Sequence, residues 1–136
     1  MIKFTVIQSF DELPKFTTDY PVFSDIETEK FYVGTRLIQL FQPEVSDTVW
    51  VIDTDILDLE EAKKIIKPLW TVWQGCTYDF GTLNMTTERF DDTLYLARTA
   101  YPEWKGFKLD QIVGKLGLTH LYADLDKSTM QKAGFV

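Results

Sequence analysis

The chain is poor in the residues that anchor many kinds of site. Of its 136 residues one is cysteine and one is histidine. Cys76 alone cannot form an internal disulfide, and a lone thiol fits a reducing compartment. With neither His nor a basic residue close by in sequence, it reads as an inert buried thiol, not a nucleophile. His120 reads as a turn or surface residue. No stretch reaches the roughly 18 uninterrupted apolar residues of a membrane span. Lys3, Asp11, Glu12 and Lys15 interrupt any apolar core that a leader peptide would need. Basic residues are scarce too: 14 Lys and Arg stand against 21 Asp and Glu, for a formal charge of −7. That balance disfavours a general nucleic-acid binder, which meets phosphate with a clustered cationic excess. It leaves room for a nuclease whose carboxylates attract phosphate once divalent cations are loaded. Internal repeats, low-complexity tracts and Pro/Gly-rich linkers are all missing. The expectation is one soluble, intracellular (cytoplasmic) domain over residues 1–136 with no membrane segment.

What is present is 45% apolar sequence in alternating patterns. Ile2–Ile7 predicts a strand. Ser9 and Glu12 have capping-box spacing, and Pro14 keeps the segment they open short. Pro21–Ile26, Arg36–Phe41 and Thr48–Ile52 predict three further strands. Asp58–Leu69 predicts a helix capped by Asp58, with Leu59, Ala62, Ile65, Ile66 and Leu69 on one stripe. Trp70–Gln74 predicts another strand. Helices are predicted from Tyr78 to Leu83, Asp92 to Tyr101 and Leu109 to Leu116. Strands first, a helical crossover to another strand, and helices after it describe an α/β chain with a mixed sheet. Asp53, Asp55 and Asp58 are expected to cap the helix that follows, and Glu60–Lys64 to be its solvated face. Trp50, Trp70 and Trp73 are expected in the core. Tyr101 and Trp104, beside Pro102 and Lys105, lie in a loop and are candidates to stack on a base.

Two constellations carry chemistry. In Asp25-Ile26-Glu27-Thr28, residues two apart on a strand share a face, so both carboxylates point one way and Ile26 points into the core. Paired carboxylates at the carboxyl end of a strand resist joint ionisation and suit hard divalent cations. The second constellation is Gln74-Gly75-Cys76-Thr77-Tyr78-Asp79-Phe80-Gly81-Thr82-Leu83. It places Asp79 in the first turn of a helix, with Gly75 permitting a close backbone approach and Gly81 tight helix packing. Each alone has an ordinary reading, a charged strand edge and an acid answering a helix dipole.

Together and in order, these residues resemble the 3′–5′ exonuclease domain of the DEDD type, as attached to family A DNA polymerases and found in ribonuclease D. Asp25-Ile26-Glu27-Thr28 resembles its first motif and Tyr78-Asp79-x-Gly81-x-Leu83 its second. Arg36–Leu40, Trp50–Asp53, Phe90–Leu94, Lys108–Gly117 and Leu125–Ser128 with Gln131 are similar to intervening and later segments. The resemblance implies a ribonuclease H-like mixed sheet flanked by helices, lacking its last helices at the C-terminus. It implies Asp25, Glu27 and Asp79 as catalytic metal ligands for two cations, Mg²⁺ or Mn²⁺, with Thr28, Gln74 and Tyr78 against the substrate. The third motif, Tyr-x-x-x-Asp, is either missing or compressed at Tyr122 and Asp126. His120 does not supply the His-x4-Asp variant, because Leu125 stands at the required place. Gly75 stands where the family usually carries an Asn that holds the terminal nucleotide. The implied activity is proofreading removal of nucleoside 5′-monophosphates from single-stranded DNA 3′ ends, with RNA ends as the alternative. The implied partner is a DNA polymerase or a complementary exonuclease fragment. The competing expectation is an inactive exonuclease-like module that binds protein.

Overall fold

A computed structural model describes residues 2–30 and 33–118. The chain forms two compact units, one ending at Asp92 and the other beginning at Thr93. The first holds a six-stranded sheet: β1 (Lys3–Val6), β2 (Val22–Lys30), β3 (Val33–Phe41), β4 (Thr48–Asp53), β5 (Trp70–Trp73) and β6 (Arg89–Asp92). Two helices interrupt the strands, α1 (Leu59–Ile66) and α2 (Cys76–Leu83). The second unit contains α3 (Thr93–Ala100) and α4 (Leu109–Lys115).

The strand order is β1-β4-β3-β2-β5-β6. β2, β3 and β4 form an antiparallel meander, whereas β5 runs parallel to β2 and β6 parallel to β5. An antiparallel meander on one side of a central strand and parallel strands on the other make a ribonuclease H-like mixed sheet. β1 extends it by pairing parallel to β4. The sheet and its class follow the sequence reading. One strand does not: β6 was not foreseen, because its Arg-Phe-Asp-Asp has too few apolar residues to alternate, and pairing with β5 supplies what pattern does not.

Side-chain alternation positions the core. Ile26, Ile38 and Ile52 are cross-strand partners in one row, and all three are buried. They join Val22, Leu40 and Trp73 from the sheet, Ala62 and Ile66 from α1, and Cys76, Phe80 and Leu83 from α2 in one cluster. α1 forms where expected: Asp58 caps it, its carboxylate accepting from the Glu61 N–H at 3.0 Å. Its outer face carries Glu60–Lys63 and Glu61–Lys64 ion pairs at 3.4 and 3.1 Å. Exposed pairs of this kind contribute little, and burial of Ala62 and Ile66 holds the helix. Asp53 and Asp55 are not helix caps. Both pair with Arg36 on β3, and Asp53 also accepts from the Asp55 N–H at 2.9 Å.

The path into β2 is fixed by a buried amide. Gln42, fully buried, accepts from the Thr17 N–H at 3.0 Å and donates to the Thr17 and Tyr20 carbonyls at 2.8 and 2.9 Å. Three satisfied bonds on one side chain make up for its burial and pin the loop ahead of Val22. The capping box at Ser9 and Glu12 is present on a single 3-10 turn, Phe10–Glu12. Trp73 is buried as expected, while Trp50 and Trp70 are only half-buried. Trp70 donates to Asp91 at 2.7 Å and lies under the Arg89 guanidinium. Among the described residues no helix is long and apolar enough to cross a membrane.

Ile38, fully buried at the centre of the sheet, makes a direct test of the core. Ile38→Ala is expected to lower unfolding free energy by about 2–5 kcal/mol and Ile38→Val by about 0.5–1.5 kcal/mol. Urea denaturation of both variants measures the difference.

Candidate functional site

β2 does not stop after Ile26. The antiparallel ladder with β3 continues through Lys30↔Val33, with a register irregularity between Glu27 and Thr28. Asp25 and Glu27 therefore sit within the strand, not at its carboxyl end as the sequence suggested. The reason is the β3 partner, which offers backbone pairing beyond the point where the apolar run ends. Alternation still does what was expected: Ile26 enters the core, Asp25 is exposed and Glu27 half-buried on the other side. Their cross-strand partners are Gln39 for Asp25 and Leu37 for Glu27.

The irregularity after Glu27 has a consequence for Thr28. Its hydroxyl meets the Tyr78 hydroxyl at 3.0 Å, joining β2 to the first turn of α2. These two expected substrate contacts are thus bonded to each other. Gln74, the third, is half-buried just after β5.

The first turn of α2 is built without a cap of its own. Gly75 occupies the N-cap position at φ 81°, in the left-handed region, and has no side chain to offer. A residue with a Cβ resists that conformation, so the chain turns sharply from β5 into α2 only because glycine stands there. The cap comes from the next strand. Asp92, at the end of β6 and the register partner of Trp73, accepts the Gly75 N–H at 3.0 Å and the Cys76 N–H at 2.5 Å. A carboxylate on two unpaired amides at a helix start answers both their hydrogen bonds and the helix dipole. The same carboxylate takes a hydrogen bond from the Cys76 side chain. Burial first, and then Asp92, push the Cys76 thiol up to about 12, which leaves it protonated and unreactive.

Asp79, one turn into α2, is 3% exposed. Its carboxyl is pushed up from 3.8 to about 8, first by burial, then by the charges of Asp25 and Asp92, with Glu27 adding less. Backbone hydrogen bonding pulls the other way without prevailing. Asp25 and Glu27, named from the sequence, therefore both act on Asp79, and a further acid, Asp92, joins them. In the sequence Asp92 reads as part of an Asp-Thr step and as the start of a helix; its capping role depends on β6 lying beside β5. The expected packing role of Gly81 is absent, because a Cβ there would meet no atom within 4 Å. Tyr122 and Asp126 lie outside the described residues.

The donor chemistry suits a hard divalent cation, because the carboxylate charges that raise the proton affinity of Asp79 are relieved by positive charge. Ligating spacing is another matter. Among the described residues no group of three or more His, Cys, Asp or Glu side chains is arranged to hold a metal.

Two predictions come from this geometry. The folded pKa of Asp79 exceeds its unfolded value, so folding takes up a proton between them. That contribution is complete below about pH 4, the unfolded value, and is lost as pH rises through about 8. In chelator, thermal midpoints should fall across that window, and Asp79→Asn should flatten the fall. Asp92→Ala should cost on the order of 2 kcal/mol or more by stranding two amides. Asp92→Asn, which keeps one acceptor, should recover part of the loss in the same denaturation assay.

No family model matches the chain, and none of the curated proteins compared with it is similar. The ribonuclease H-like assignment accordingly rests on strand order and direction.

Proposed function

We propose that the chain is the metal-binding part of a DEDD-type 3′–5′ exonuclease that releases nucleoside 5′-monophosphates from the 3′ ends of single-stranded DNA. The observation that carries this reading is the buried carboxyl of Asp79, held near pKa 8 by burial and by the charges of Asp25, Asp92 and Glu27, on a ribonuclease H-like sheet. A carboxyl raised by burial and by several like charges marks a functional-site candidate, because a cation ligand gains a site already loaded with negative charge.

Asp25 and Glu27, from adjacent same-face positions of β2, would be the principal holders of cations, with Asp79 joining after it loses its proton. Bound Mg²⁺ or Mn²⁺ supplies Lewis acidity toward phosphate and a more acidic water as nucleophile. Thr28 and Tyr78, bonded to each other at 3.0 Å, form a polar wall at the same end of α2 for the terminal nucleotide. The net charge of −7 agrees with phosphate being met by cations and not by a basic surface. Tyr122 and Asp126 remain the candidates for the water-orienting group and the fourth acid; a polymerase or a complementary exonuclease fragment is the partner that would supply them otherwise.

A second reading is a non-catalytic module with an exonuclease-like fold that binds protein. That no three His, Cys, Asp or Glu side chains among the described residues are grouped to hold a metal favours it.

Calorimetry with Mn²⁺ and degradation of 3′-labelled single-stranded DNA separate the two. Binding should strengthen from pH 6 to 9 and release protons at pH 7, because Asp79 must ionise. Asp25→Ala and Glu27→Ala should each reduce cleavage by at least about 100-fold, the upper range for residues that merely support ligands. Absence of both Mn²⁺ binding and cleavage, including with a candidate partner fragment added, selects the module. An RNA strand in parallel identifies the preferred sugar.

A further inference from the structure

The second unit holds a feature that the metal chemistry does not use. After α3, the chain turns at Pro102, with the Trp104 N–H donating to the Tyr101 carbonyl at 3.1 Å. The turn stacks the two rings almost parallel, centroids 4.1 Å apart and planes 5° apart. Trp104 also lines a cavity of about 450 Å³, shared with Lys105, Gly106, Gln111, Lys115 and Glu103. That volume falls in the range of small-ligand sites. Gly106 lets one wall close up: a Cβ there would collide with the Gln111 side-chain amide. Gln111 is held in that place by accepting the Lys108 N–H at 3.0 Å.

The lining therefore combines an indole stacked on Tyr101 with two lysines against one glutamate and a fixed amide. A stacked indole favours a planar ring, the lysines favour an anion, and the amide can read a ring edge. We propose that this pocket binds a nucleotide, with its base on Trp104 and its phosphate at Lys105 and Lys115. The choice of a nucleotide over other flat anions rests on the exonuclease reading. None of the pocket's residues is one of the acids of that site, so the experiment tells failure of this claim from failure of that reading.

The test uses the full chain in chelator at low salt, where no metal-dependent cleavage can contribute. The indole N–H resonance of Trp104 is assigned by its loss in Trp104→Phe, and the protein is titrated with thymidine monophosphate and with short oligo(dT). The Trp104 signal should shift with ligand while that of buried Trp73 stays still. Lys105→Glu combined with Lys115→Glu should weaken binding about tenfold or more. If that variant does not fold, Lys105→Gln and Lys115→Gln should each weaken it about threefold. Tighter binding of the oligonucleotide assigns the pocket to a strand, and equal binding to free nucleotide; either supports it. No Trp104 shift with either ligand, or unchanged affinity in the lysine variants, overturns it, whatever the Mn²⁺-dependent nuclease assay reports.

Discussion

The carboxylate of Asp92 ties two parallel strands to the helix that carries the candidate site. It sits at the end of β6, beside the end of β5 in register, and it takes the two amides that open α2. Gly75 makes this possible by turning through the left-handed region, and in doing so forfeits any cap from its own side chain. The helix start is thus specified by a residue seventeen positions away. Asp79, one turn further, inherits its position from that bond. So does Tyr78, whose hydroxyl reaches back to Thr28 on the central strand.

This arrangement places negative charge where burial makes it costly. Asp92 is compensated by two amides and a thiol. Asp79 is compensated only in part, and the balance appears as a carboxyl that holds its proton to about pH 8. The two buried aspartates at the start of α2 therefore divide the work: Asp92 caps the backbone amides, and Asp79 is kept neutral by burial and by its neighbours' charge. A cation brought to Asp25 and Glu27 would reverse the second condition without disturbing the first. The thiol between them stays protonated in either case, because burial and the Asp92 carboxylate both oppose its ionisation.

The rest of the first unit supplies rigidity to that corner. The isoleucine row across β2, β3 and β4 fixes which face of β2 is core, and so which face presents Asp25 and Glu27. A one-residue slip would exchange Ile26 for the acids, and the buried row forbids it. Gln42 holds the entry to β2, and the Thr28–Tyr78 bond follows the irregularity after Glu27. Both ends of the acid-bearing segment are thereby tied to neighbouring structure.

The sequence by itself determined what depends on local pattern. Alternation sent Ile26 inward and Asp25 and Glu27 outward, the Asp58 cap and apolar stripe made α1, and Ser9 with Glu12 made the capping box of the Phe10–Glu12 turn. The mixed sheet followed from the order of strands and helices. Only tertiary structure decided the matters that pairing controls. β3 prolonged β2 past the acids, since a ladder partner outweighs the end of an apolar run. Asp53 and Asp55 turned to Arg36 instead of α1, because β3 and β4 are neighbours. β6 formed from a segment with no alternation, and its pairing with β5 brought Asp92 to a helix whose own N-cap residue has no side chain. The spacing of Asp25, Glu27 and Asp79 along the chain marked them as candidates. Their coupling through charge came from burial and approach in three dimensions, which no spacing encodes.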